Sequence, residues 1–189
     1  MIVSLAAHPD PRGLWSGIEE IFFLSSSRQV FTGEAERQDF LRRWTGYYRD
    51  RTPDLIFVAL AREQRLAGYL MGCRDSRAAR RLYDDIDSYR LFDDLFGTYP
   101  AHFHVNCHPD FRRRGIGTAL VRAFVATLVR DRVAGVHVVT AAGSDNVAFY
   151  RKCGLRDAVG RPWGGRELVF LGKRLRTGGV EDGMAPPRR

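Results

Sequence analysis

Arg112-Arg113-Arg114-Gly115-Ile116-Gly117-Thr118 stands between an apolar run, His102 to Cys107, and a stretch in which apolar residues recur at helical spacing. The run before it reads as a strand, which Pro109 closes because proline cannot extend a paired strand. After it, Ile116, Leu120, Phe124 and Leu128 mark one face of a long helix from Gly115 to Val129. A helix start offers unpaired backbone N–H groups and a partial positive charge, and so attracts phosphate. Glycine at 115 and 117 lets a ligand approach the backbone with no Cβ in the way. Arg112, Arg113 and Arg114 add charge-assisted hydrogen bonds. The segment is a candidate diphosphate cradle. Read alone, it is equally a solvated basic helix start with glycines for close packing. A Rossmann turn is excluded because its third glycine position holds Leu120, and a Walker loop because no GxxxxGK followed by Ser or Thr occurs.

Working outward, the segment lies in an alternation of helices and strands. Met1 to Ala7 can form a strand, Gly13 to Ser27 a helix, and Glu34 to Arg49 a second helix with Phe40, Leu41, Trp44, Tyr47 and Tyr48 along it. Leu55 to Leu60 and Leu66 to Gly72 read as two strands joined by the polar turn Arg62 to Arg65. Leu82, Ile86, Tyr89, Phe92 and Phe96 return to helical spacing between Ser76 and Phe96. Beyond the long helix come a strand, Gly135 to Thr140, and a helix that Ser144 or Asp145 caps and Cys153-Gly154 ends. A last strand runs from Arg166 to Leu171. This order describes an α/β layer around a mixed sheet.

The chain has 189 residues, a size that fits one domain. We expect that domain over residues 1–175, with 176–189 a disordered tail, since Thr177-Gly178-Gly179 and Met184-Ala185-Pro186-Pro187 offer too little to pack. No apolar run approaches the roughly 18 residues needed to span a bilayer, and the first residues lack the pattern of a secretory signal. Cys73, Cys107 and Cys153 are odd in number with no CxxC pair, which suggests neither disulfides nor a zinc knuckle. A cytoplasmic protein with reduced thiols is the simplest reading. The net charge of +8 comes almost wholly from arginine. Without an aromatic-rich basic stripe it does not indicate nucleic acid.

A second segment, Asp145-Asn146-Val147-Ala148-Phe149-Tyr150-Arg151-Lys152-Cys153-Gly154-Leu155, follows at the right distance. Together the two segments resemble the GCN5-related N-acetyltransferase (GNAT) superfamily. Its phosphate loop is Arg or Gln, two residues, Gly, one residue, then Gly or Ala, which Arg112, Gly115 and Gly117 match. Its later Asn-x-x-Ala-x-x-Tyr-x-x-x-Gly-Phe segment is similar to 146–155, shifted by one at Tyr150. The stretch Tyr99-Pro100-Ala101-His102-Phe103-His104-Val105 further resembles a bacterial group akin to the acetyltransferase-like domain of O-GlcNAc hydrolases.

The resemblance implies a mostly antiparallel central sheet flanked by helices and acetyl-CoA as cosubstrate, with no metal. Backbone groups around Val105 and Cys107 would hold the pantetheine arm, and Arg112, Arg113, Arg114, Gly115, Ile116, Gly117 and Thr118 would wrap the pyrophosphate. Asn146 would bind the pantetheine or its water network, and Tyr150 would sit at the thioester sulfur. The implied activity is acetyl transfer to a primary amine of a small molecule or protein. A non-catalytic acyl-CoA-binding module is the alternative. No membrane or nucleic-acid partner is implied, and a homodimer is compatible.

Acetyl transfer needs a base for the amine, an acid for the leaving thiolate and donors for the developing oxyanion. Tyr150 is the candidate acid. His102 and His104 are candidate bases, because a histidine titrates near neutrality; both share one strand face with Asn106, and Phe103, Val105 and Cys107 share the other. The competing reading for each is a packed core residue. His108 lies past the strand end and no carboxylate completes a metal set. Phe22, Phe23, Trp44, Tyr47 and Tyr48 are candidate walls for the acceptor. Asp84, Asp85, Asp87, Asp93 and Asp94 could steer a cationic amine, although a solvated helix face explains them as well.

Overall fold

Strand residues buried on both faces place a sheet at the centre of this fold. In the computed structural model, which describes residues 1–79, 81–82 and 86–175, all five residues of Ile56–Leu60 are buried. Phe57 and Ala59 face one apolar cluster while Ile56, Val58 and Leu60 face another. Such a strand needs helices on both sides, and it has them.

The seven strands are β1 (Ile2–Ser4), β2 (Ile56–Leu60), β3 (Leu66–Cys73), β4 (Ala101–Cys107), β5 (Gly135–Ala141), β6 (Asp157–Trp163) and β7 (Arg166–Arg174). They lie in the order β1-β2-β3-β4-β5-β7-β6. Every neighbouring pair is antiparallel except β4 and β5, which are parallel. Among the described residues, the α-helices α1 (Pro11–Ser25), α2 (Glu34–Arg51), α3 (Ile116–Arg130) and α4 (Asn146–Lys152) flank the sheet. The described residues thus form one α/β domain with a mixed, mostly antiparallel sheet.

The start of α1 has a local cause. Asp10 caps α1 by accepting from the Gly13 N–H at 2.8 Å, with Pro11 in the first turn, where its missing N–H costs nothing. Ile18, Ile21 and Phe22 of α1 and Leu41 and Tyr48 of α2 pack on one sheet face with Tyr69 and Met71. Leu120, Val121, Phe124 and Leu128 of α3 pack on the other with Leu70, Phe103 and Val138. A third cluster, Phe92, Phe96, Tyr99, Leu168 and Phe170, covers the β5–β7 end.

Two elements differ from the sequence expectation. The segment before β4 is a 3-10 helix over Asp87–Leu95 with a break at Phe92, not one regular helix from Ser76. Asp84 and Asp85, proposed to steer the amine, and the tail 176–189 lie outside the described residues. The other difference is β6, absent from the sequence reading. It is an edge strand with its first four residues exposed, so it carries no burial signature, and Pro162 is tolerated there. It joins β7 through Gly164 and Gly165, both at positive φ (55° and 77°), the two-residue turn that glycine pairs favour.

Candidate active site

The site starts from a fork in the sheet. β4 and β5 are paired only at Ala101↔Val136 and His102↔His137. Beyond those pairs β4 continues to Cys107 beside β3 alone, and β5 continues to Ala141 beside β7 alone. The strands therefore diverge, and the backbone of β4 from Phe103 onward has no strand on its β5 side. An extended ligand with amide groups is the kind of partner that such an edge can pair with.

At the mouth of the fork the chain turns through a short 3-10 helix, Pro109–Phe111, into α3. Arg113 (φ 60°) and Gly115 (φ 78°) are both left-handed, two within three positions. Backbone turns of this kind gather successive N–H groups into an anion-binding concavity. Gly115 is the N-cap of α3. A Cβ at Gly117 would come within 3.1 Å of Phe149 and 3.6 Å of the Cys107 sulfur, so a larger residue there would make the Phe149 ring shift by a few tenths of an ångström. At Gly115 a Cβ would meet nothing within 4 Å. Gly115→Ala should therefore cost only the left-handed backbone, about 1 kcal/mol, read as a lowered melting temperature with an unchanged far-ultraviolet spectrum.

Fork and loop line one cleft of about 500 Å3. Its walls include Val105, Asn106 and Cys107 of β4, and Arg112, Arg113, Gly115, Ile116, Gly117 and Thr118 of the loop and α3. Asp145, Asn146 and Phe149 come from the start of α4, and Ser25 from the end of α1. Arg112 is oriented by donating from Nε to the Cys107 carbonyl at 3.1 Å. Arg114 does not line the cleft, and its guanidinium lies 5.5 Å from the centre of the Phe111 ring. Burial pushes up the thiols of Cys107 and Cys153, as expected of small packed residues rather than nucleophiles.

The three candidate catalytic side chains are less open than the sequence suggested. Tyr150 is 8% exposed and packs edge-on to Phe103 at 6.0 Å, while its neighbour Phe149 lines the cleft. Burial, with the Cys153 thiol beside it, pushes the Tyr150 phenol up to about 12. His102 is 2% exposed and bonded at both ring nitrogens. Ser76 Oγ donates to the Pro100 carbonyl at 2.7 Å, so its contact with His102 Nδ1, also 2.7 Å, is one in which the ring N–H donates. Nε2 then accepts from the Tyr48 hydroxyl at 2.9 Å, leaving His102 no ring nitrogen for a substrate. His104 is half-buried between the rings of Tyr48 and Tyr69, each 5.4 Å away. Its Nε2 is buried with no hydrogen-bond partner, and desolvation pulls its pKa down to about 4.

Of the positions named from the sequence, Val105, Cys107, Arg112, Arg113, Gly115, Ile116, Gly117, Thr118 and Asn146 come together in the cleft. Ser25, Asn106, Phe111, Asp145 and Phe149 complete it without having been assigned to it. Asp145 and Phe149 stood inside the second motif, and Asn106 on the strand. Ser25 had no sequence signal because only the packing of α1 brings it there. Among the described residues no group of three or more His, Cys, Asp and Glu could hold a metal, and no helix is long and apolar enough to cross a membrane.

Solved structures share this architecture. SsHAT is 21% identical with a TM-score of 0.71, over 92% of this chain and 97% of that one. The ribosomal-protein-alanine N-acetyltransferase of Brucella melitensis is 20% identical with a TM-score of 0.52, over 93% and 99%. Naa20 of Chaetomium thermophilum, solved with a bisubstrate analogue, is 19% identical with a TM-score of 0.54, over 94% and 87%. At these identities the likeness is one of fold. A search of curated proteins gave no match. A family model described as the acetyltransferase (GNAT) family matches residues 18–155, which include the cradle and the Asn146–Tyr150 segment, and the chain belongs to that family.

Proposed function

We propose that this protein is an acetyl-CoA-dependent N-acetyltransferase that acetylates a primary amine of a small molecule or a protein. The observation that carries the reading is the meeting of the left-handed Arg112–Thr118 loop with the unpaired edge of β4 in one cleft. A diphosphate and an amide-bearing arm, joined end to end, satisfy both parts at once. In this reading the N–H groups from Gly115 to Thr118 and the side chains of Arg112 and Arg113 hold the pyrophosphate, with Arg114 supplying charge from outside the cleft. Backbone groups of Val105 and Cys107 pair with the pantetheine amides, and Asn146 holds that arm across the fork. Neighbours such as the ribosomal-protein-alanine N-acetyltransferase, by its name, favour a protein amine as one class of acceptor. Kinship with the O-GlcNAc hydrolase-associated group, a cytoplasmic location and a homodimer belong to the same proposal.

Attack by the amine forms the C–N bond and breaks the C–S bond. Tyr150, protonated at pH 7, donates a hydrogen bond to the leaving sulfur. Complete proton transfer from a phenol at about 12 to a thiolate of ordinary pKa, about 8.5, runs uphill. His104 remains neutral near pH 7 and has the ring nitrogen that His102 lacks, so of the two it is the base we assign. The same burial favours a second reading, a non-catalytic acyl-CoA-binding module, because neither Tyr150 nor either histidine lines the cleft.

The test is a thermal-shift titration of the full chain with acetyl-CoA, then an amine panel followed by release of free thiol. At a hundredfold excess over Kd the ligand should add about 2.7 kcal/mol of stability. Stabilisation with thiol release on an amine supports the enzyme, and stabilisation without release on any amine supports the module. No stabilisation at about 1 mM, where even a micromolar binder is saturated, would overturn both.

A further inference from the structure

Both lysines of the chain, Lys152 and Lys173, converge with Arg122 on a second pocket, of about 140 Å3. It lies between α3, the end of α4 and β7, with Thr118 and Cys153 also in its wall. Among the described residues none of the three cations has an ion-pair partner. Some other arginines are matched by carboxylates, Arg74 by Asp54 and Asp131 and Arg161 by Asp94. Three like charges around so small a space repel one another, and an anion among them reverses the sign of every interaction. Their convergence has an independent sign at Cys153. Burial pushes that thiol up, while a hydrogen bond with Thr118 and the charges of Lys173 and Arg122 oppose the rise, so both cations stand near the sulfur.

Thr118 lines this pocket and the main cleft alike, so the two share a wall. Arg122 stands five residues beyond Gly117, which on an α-helix is about 7.5 Å along the axis. A single ribose can bridge such a step between two phosphate groups. We propose that the Arg122–Lys152–Lys173 pocket binds a phosphomonoester, and that its source is the 3′-phosphate of the coenzyme A whose pyrophosphate lies in the main cleft. The source rests on the coenzyme reading above; the pocket's affinity for a phosphate group does not. Arg122 supplies a planar fork for two phosphate oxygens, and the lysines supply compact charges. Val121 and Val125 form an apolar wall that lowers screening there.

Calorimetric titrations of the full chain with coenzyme A, 3′-dephospho-coenzyme A and inorganic phosphate test this. The wild type should bind coenzyme A about tenfold or more tightly than the dephospho form, the scale of one charge-assisted hydrogen bond. The combined variant Arg122→Gln, Lys152→Gln, Lys173→Gln should bind both alike, at the affinity the wild type has for the dephospho form. Lys152→Gln alone, at an exposed site, should fall between and guards against misfolding of the triple variant. Equal wild-type affinities, or discrimination that survives in the triple variant, overturn the proposed source. If neither coenzyme binds, the coenzyme reading fails and inorganic phosphate decides the pocket. Heat of phosphate binding in the wild type, lost in the triple variant, supports a free-phosphate site, and no heat overturns it.

Discussion

Tyr150→Phe is expected to lower turnover by about one to two orders of magnitude and to leave acetyl-CoA affinity within about twofold. The size follows from the loss of one hydrogen bond to a charged atom, about 1.5–3 kcal/mol. The small change in affinity follows because the bond gains its strength only as charge develops on the leaving sulfur, not in the bound thioester. The substitution removes only an oxygen from a side chain that is 8% exposed, so its packing persists. Steady-state kinetics on whichever amine releases thiol gives the first quantity and calorimetry the second. An unchanged turnover number would dismiss Tyr150 as the donor to sulfur.

Mild acid is expected to destabilise the fold well before its carboxylates titrate. His137 is 1% exposed, stacked between Phe96 at 4.8 Å and Phe170 at 4.6 Å, with Nδ1 donating to the Tyr99 carbonyl at 2.7 Å. Burial pulls it down to about 4, although its hydrogen bonds to backbone oppose the shift. His104 is pulled down to about 4 and His102 well below its ordinary value, both chiefly by burial. A histidine whose folded pKa is depressed binds fewer protons folded than unfolded. Its stabilisation is complete above the unfolded value, about 6.5, and is lost as pH falls from there toward about 4. For His137 alone the loss at pH 5 is about 2 kcal/mol, and the other two act in the same direction. The melting temperature should fall steeply between pH 7 and pH 5, and His137→Gln should flatten the slope. A flat profile over that range would show that the three rings are not held neutral by the fold.

Much of the cleft was legible because it is local in sequence. Gly115, Gly117, Arg112 and Arg113 owe their place in it to a strand-to-helix turn, and a turn is written in consecutive residues. The alternation that put His102 and His104 on one strand face with Asn106 was likewise local, and the register of β4 against β3 agrees with it. What that face packs against is set by α2 and by the segment after β3, both far away in sequence. Tyr48 and Ser76 therefore could not be assigned to His102 from spacing. Tyr150 and Phe149 show the same limit, since one position on α4 is a rotation of about 100° and decides which ring reaches the cleft. β6 was invisible for the opposite reason. An exposed edge strand has no inward face to pattern, and its only signal was the Gly164-Gly165 turn that follows it.

The fork between β4 and β5 also bears on how long the protein lasts in a cell. Two residue pairs join the β1–β4 half of the sheet to the β5–β7 half, and helix packing provides the rest. A ligand whose amides run along β4 would add backbone pairing at that open edge, so its binding and the stability of the folded chain would be linked. Degradation that acts on the unfolded chain would then run fastest when that ligand is scarce. Under the acetyl-CoA reading proposed above, the lifetime of the folded chain would lengthen with the supply of that ligand.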